Sequence, residues 1–300
     1  TLTTTGAVAT APYSSTPYTI TPSAITGANG FNTSNYTITY VNGGINVSKA
    51  PLSVTANSYT KTYGDLMTFG GTEFSTSGLK NNETVATATL TSSGSPSTAP
   101  YSVSPYAITP SALSGGTFSP NNYNISYLNG GLTVNKANLT VTGNSIVKTY
   151  GDLITFTGSE FSTSGLKNNE TATTATLTSS GAATNAAYSS SPYAIMTSGL
   201  TGGTFSASNY NITYLNGGLR VNKANATVIG FSGSTEFDGT TKTLTGFTAT
   251  GLVNNETTGD IAKSSTNPNG INASTSGRFA GTYLNTPYGL ANNYNLSFVS

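Results

Sequence analysis

Residues 123–137, YNISYLNGGLTVNKA, alternate apolar and polar side chains with a period of two. Tyr123, Ile125 and Tyr127 fall on one face of an extended strand and Asn124 and Ser126 on the other. Leu132 and Val134 resume the alternation beyond Asn129-Gly130-Gly131. Asn-Gly between alternating segments is the strongest short signal for a hairpin, because both residues tolerate positive φ. The same trio recurs as Asn42-Gly43-Gly44 and Asn216-Gly217-Gly218, so the sequence predicts a closing hairpin in each place.

This recurrence belongs to a longer one. Residues 51–137 and 138–224 align without a gap and are identical at 63 of 87 positions. A third closing segment, YTITYVNGGINVSKA, ends at Ala50. Residues 1–50 are therefore expected to be the C-terminal part of a truncated repeat, with full repeats at 51–137 and 138–224. Residues 225–300 form a divergent repeat: FTATGLVNNETT from Phe247 matches FSTSGLKNNETV from Phe74, and NNYNLSF from Asn292 matches NNYNISY from Asn121. This unit carries EFDGTTKT at 236–243 and stops before a closing NGG strand, so its last hairpin is expected to be missing and its end to fray or pair elsewhere. Tandem copies without a spacer build length rather than a catalytic cleft.

Thr, Ser, Gly, Asn, Tyr and Val dominate, a mixture that favours strands and turns over helix. Within a repeat, strands are expected at Leu52–Ala56, Met67–Gly70, Thr84–Thr91 and Tyr106–Thr109, with FSTSGL-KNNET as an irregular crossover. The core is expected to hold Phe69, Phe74, Leu79, Leu90, Tyr106, Ile108, Tyr123, Ile125 and Leu132. The fold class is all-β: tandem small antiparallel β-sheet domains, β-grasp-like or sandwich-like, arranged end to end in a rod. The rod follows from LTVNKANLTVT, which crosses from one copy to the next without Pro, Gly or a flexible spacer.

Only 7% of residues are charged and the net charge is +1, so the electrostatic footprint of a nucleic-acid partner is missing. Cysteine and histidine are absent, which removes disulfides, thiolate metal sites and the commonest general base. No apolar run approaches the roughly 18 residues needed to span a bilayer, and no signal peptide opens the chain, which reads as an interior segment. The usual nucleophile–base partners are missing, and an enzyme is not expected.

Tyr63-Gly64-Asp65, Tyr150-Gly151-Asp152 and the endings at Lys49-Ala50, Lys136-Ala137 and Lys223-Ala224 resemble the MBG and YDG repeat families of large bacterial surface adhesins of the filamentous-haemagglutinin-like kind. Phe237-Asp238-Gly239-Thr240-Thr241 is similar to the YDGTT signature, with Phe in place of Tyr. The resemblance implies a secreted or cell-surface bacterial protein in which the repeats serve mostly as stalk.

Candidate chemistry is sparse. Asp65 and Glu73, repeated as Asp152 and Glu160, are the recurrent acids that could share a calcium ion, although an Asp after Tyr-Gly more simply bonds the amides of its own turn. Lys136 and Lys223 would form isopeptide bonds only beside a buried, protonated acid; a solvated Lys blunting a strand edge is the simpler reading. Of 18 tyrosines, Tyr101, Tyr106, Tyr188 and Tyr193 flank a Pro-containing bend and are the candidates for glycan contact, while Tyr123, Tyr127, Tyr210 and Tyr214 are expected in the core. Twelve Asn-x-Ser/Thr sequons occur, and those at Asn82, Asn169 and Asn255 recur in a turn where a glycan would fit. No cofactor is expected beyond the calcium candidate. The expected partners are further repeats of the same polypeptide, a polysaccharide or surface, or other copies associating laterally into a sheath.

Overall fold

β-Branched and aromatic residues at every second position make these segments strands, and the Gly, Asn and Ser clusters between them make the turns. The computed structural model describes residues 1–27, 29–264, 267, 269–278 and 281–300, and it is all-β with several small sheets. The chain divides into two units, Thr1–Ala137 and Asn138–Ser300.

In the first unit, β1 (Leu2–Thr3), β2 (Tyr18–Pro22) and β3 (Gly43–Ile45) form an antiparallel sheet in that order. Seven strands follow: β4 (Ala50–Ala56), β5 (Tyr59–Thr62), β6 (Phe74–Ser77), β7 (Val85–Thr91), β8 (Tyr106–Gly116), β9 (Tyr123–Leu128) and β10 (Gly130–Asn135). They make one sheet of order β6-β4-β9 and another of order β5-β10-β8-β7. Both sheets mix directions, because β4 runs parallel to β9 and β5 parallel to β10, while the other neighbours are antiparallel.

The expected hairpin at Asn129-Gly130-Gly131 does not form. β9 and β10 belong to different sheets, and none of the three residues has positive φ. The chain instead steps from one sheet to the other while β4 and β5 make the same step beside it. Glycine is needed at this step for close approach: a Cβ on Gly130 would stand 2.5 Å from the carbonyl oxygens of Ala56 and Asn57. Met67–Gly70 is not a strand, although Met67 and Phe69 still pack into the core. FSTS, expected to be irregular, is β6 and pairs with β4.

Two apolar clusters underlie the sheets. Leu52, Val54 and Tyr123 are buried with Phe74, Leu79, Leu113, Phe118 and Ile125 packed against them. Ala56, Leu90, Ile108 and Leu132 form the second cluster with Tyr59, Met67, Phe69 and Tyr106. Each fully buried Leu or Ile contributes about 1.5–3 kcal/mol. β8 feeds both clusters, Ile108 into one and Leu113 into the other, through a bulge beside Ala112, whose φ is +42°. Tyr127 has the parity of Tyr123 but is exposed, because the first cluster ends at Ile125.

In the second unit, β11 (Ala137–Gly143), β12 (Ile146–Thr149), β13 (Phe161–Ser164), β14 (Thr174–Thr178), β15 (Tyr193–Thr201), β16 (Tyr210–Leu215) and β17 (Gly217–Asn222) repeat the arrangement in sheets β13-β11-β16 and β12-β17-β15-β14. The divergent segment contributes β18 (Ala224–Gly230), β19 (Lys242–Thr245), β20 (Phe247–Thr250), a single helical turn α1 (Thr258–Ile261), β21 (Ser274–Gly277) and β22 (Tyr294–Val299). β18 lies between β20 and β22, and β19 pairs with β21. The last strand, expected to fray or pair outside the chain, lies parallel to β18 from Tyr294 to Val299.

Candidate functional site

The Tyr-Gly-Asp motif is a tight turn built on a buried tyrosine. Tyr63 and Tyr150 are buried, and Gly64 and Gly151 adopt φ of +94° and +100°, which a side chain would strain. The Asp65 amide donates to the Thr62 carbonyl at 3.0 Å, and the Asp65 carboxylate accepts the Thr62 amide at 3.3 Å; Asp152 and Thr149 repeat both bonds at 3.0 Å. Beneath each turn lies a lysine that sequence reasoning missed. Lys61 is buried, and its ammonium donates to the carbonyls of Asp65, Ser95 and Pro96 at 2.9, 3.1 and 2.5 Å. Lys148 makes the same contacts to Asp152, Ala182 and Ala183. Burial lowers both ammonium pKa values, with Asp65 and Asp152 opposing it. The signal was the alternation of Tyr59, Lys61 and Tyr63, which places the lysine inward.

Glu73 and Glu160 each seat a carboxylate on backbone amides. Glu73 accepts from Gly70, Gly71 and Thr72 at 2.7–2.9 Å. Glu160 accepts the amides of Thr157 and Gly158 at 2.9 and 3.0 Å and the Thr157 hydroxyl at 2.7 Å. Bonding to Thr157 brings the Glu160 pKa down to about 2. Asp65 and Glu73 thus serve different turns. Among the described residues no group of three or more acids, histidines or cysteines gathers to hold a metal ion.

The positive-φ turn that the sequence placed at NGG stands at KNNET. Asn81 and Asn82 have φ of +52° and +58°, and the Glu83 amide closes the turn on the Lys80 carbonyl at 2.9 Å. Tyr123, from the NNYN segment, holds this turn: its hydroxyl donates to Glu83 and accepts from the Lys80 amide at 2.9 Å. Tyr210 does the same with Glu170 and Lys167, and Tyr294 with Glu256 and Val253. Burial, then the bond to glutamate, raises the pKa of Tyr123 and Tyr294. The sequon residues Asn82, Asn169 and Asn255 lie exposed in these turns.

The same turn joins consecutive repeats within each unit. In Asn138–Ser300, Glu256 accepts a second hydroxyl, from Tyr150 of the preceding copy, and the Tyr150 and Tyr294 rings meet edge to face at 5.6 Å. Asn254 donates to the Thr184 carbonyl at 3.1 Å, and Asn293 accepts the Tyr188 amide at 3.0 Å. One apolar cluster runs across the join, from Tyr150 and Val221 through Ala224, Val228 and Phe247 to Ile271 and Tyr294. In Thr1–Ala137 the corresponding bonds run from Asn81 to the Ala9 carbonyl at 3.3 Å and from the Tyr13 amide to Asn122 at 3.0 Å.

The four tyrosine candidates divide into two pairs. Tyr106 and Tyr193 pack at the core, their hydroxyls donating to the Pro100 and Ala187 carbonyls at 3.0 and 2.9 Å. Tyr101 and Tyr188 lie under Lys136 and Lys223, each ammonium 5.0 Å from the ring centroid, as Lys49 lies over Tyr13. Lys136 and Lys223 are thus placed on tyrosine faces. An open polar groove is lined by Thr149, Tyr188, Asn222, Lys223, Asn225 and Asn295. In the divergent repeat, Asp238 accepts from the Thr240 amide and hydroxyl and pairs with Lys242, which brings its pKa down to about 2.

These features define a tandem all-β repeat protein whose recurrent tyrosines, acids and lysines serve turns and joins between copies. The chain belongs to the MBG domain (YGX type) family, whose model matches residues 52–133 and 139–220, more than half of its length. No curated protein and no solved structure matches it. Among the described residues no helix is long and apolar enough to cross a membrane.

Proposed function

We propose that this chain is a non-enzymatic stalk segment of a secreted or cell-surface bacterial adhesin or matrix fibre, extending the polypeptide and presenting a binding region. MBG repeats are consistent with a structural repeat region of a surface protein. The observation that carries the reading is the join inside Asn138–Ser300, where Glu256 binds tyrosines from two successive copies and one apolar cluster spans both. A join of this kind restricts hinge motion, which is what a stalk requires. Small-angle scattering of the purified chain tests the reading. A monomer with an elongated profile supports it, a compact globular profile contradicts it, and concentration-dependent growth favours lateral association into a sheath.

A second reading rests on the polar groove, where Tyr188 offers an aromatic ring among the amides of Asn222, Asn225 and Asn295. Such a surface suits a neutral polysaccharide. Pull-down on insoluble glucan or chitin, abolished by Tyr188→Ala, would favour it; equal binding by the variant and the unaltered chain would not.

A further inference from the structure

The chain enters repeat 51–137 on β4 and leaves on β10, and these two paths run side by side in the same direction. β4 pairs in parallel with β9 at six positions, from Ala50↔Tyr123 to Thr55↔Leu128. After both paths step to the other sheet, β5 pairs in parallel with β10 at four positions, from Tyr59↔Leu132 to Thr62↔Asn135. The steps interlock. Gly130 passes directly over the Ala56 and Asn57 carbonyls, and the Gly131 amide donates to the Ser58 hydroxyl at 2.9 Å. In the second unit, β12 lies parallel to β17 and β18 parallel to β22.

This topology has a mechanical consequence. A pull along the chain draws the start of β4 one way and the end of β10 the other, so the two paths are displaced along their own length. Every paired position is then strained at once, and none can separate before its neighbours. In the antiparallel pair β7–β8, drawn apart at the open end near Val85 and Gly116, the pairs open in succession. We propose that the doubled parallel path is a shear clamp that lets each repeat bear tension while folded. The inference rests on the stalk reading and adds force resistance to it, in a direction fixed by strand order.

Single-molecule force spectroscopy on the full chain tests this. The sequence has no cysteine, so introduced pairs are unique attachment points. Ser48→Cys with Asn135→Cys loads the clamp in shear, and Ala86→Cys with Ser114→Cys opens β7–β8; all four positions are exposed. At about 3.5 Å per residue, rupture releases roughly 30 nm in the first geometry and roughly 10 nm in the second. The expected result is a several-fold higher rupture force in the first geometry, with equal urea midpoints for the two variants. Equal forces, or a higher force for the hairpin, would overturn the clamp. Scattering judges the stalk separately: an elongated profile with equal forces removes the clamp and leaves the stalk, whereas a compact profile removes the stalk whatever the force ratio.

Discussion

Replacing Tyr150 with Phe removes one hydroxyl from the join and leaves its packing in place. The ring still meets Tyr294 edge to face, and Gly151 still lies against Val253. What is lost is the bond to Glu256, a charge-assisted bond in a partly buried setting worth about 1.5–3 kcal/mol, together with the hydroxyl's contacts to the Asn254 and Asn293 side chains. Glu256 retains Tyr294, so the variant should weaken the coupling between copies more than the divergent copy itself. The assay is a double-mutant cycle with Glu256→Gln, read by hydrogen exchange of peptides from 138–224 and 225–300 in urea. The expected coupling is at least about 1 kcal/mol, well above the roughly 0.3–0.5 kcal/mol within which independent sites add. Tyr294→Phe is the control, since it breaks a bond internal to the divergent copy. Additive effects of Tyr150→Phe and Glu256→Gln, or exchange unchanged in both peptides, would refute the coupling.

Lys148→Met should cost about 1–3 kcal/mol in urea unfolding of the second unit, because the Asp152 carbonyl loses its ammonium donor, while Ala182 and Ala183 keep the amides of Ile154 and Ala186. Gly130→Ala should cost about 1–3 kcal/mol, since its Cβ would stand 2.5 Å from two backbone oxygens, which can move aside only by shifting the chain. Glu160, at 4.5 when unperturbed and about 2 when folded, stabilises the fold above its unfolded value. That contribution is lost as pH falls from 4.5 towards 2, so Glu160→Gln should lower the melting temperature at pH 7 and flatten its fall in acid.

The two-residue alternation was a better guide to faces than to partners, although it also put the exposed Tyr127 on the core side. It put Tyr123, Ile125 and Leu132 on the core side, where they lie. The Asn-Gly-Gly trio misled because its glycines serve close approach rather than positive φ: a strand that changes sheets and a strand that turns back share the same local pattern. β6 escaped notice because Phe74-Ser75-Thr76-Ser77 carries one large apolar residue and takes its place from pairing with β4. Lys61 was legible by parity, but a cation at an inward position is normally read as a solvated face. Its burial depends on carbonyls of the Ser95–Pro96 loop, 34 and 35 residues away. The join between copies was invisible locally, because Tyr150 and Glu256 are 106 residues apart.

A stalk depends most on consecutive repeats being held in a fixed relation. Spin labels on cysteines at Ser162 and Thr248, both exposed and on either side of the join at Ala224, measure that relation directly by pulsed electron–electron resonance. A single narrow distance distribution, broadened by a Gly-Gly-Ser insertion after Lys223, is the predicted result. A broad distribution in the unaltered chain would contradict the account.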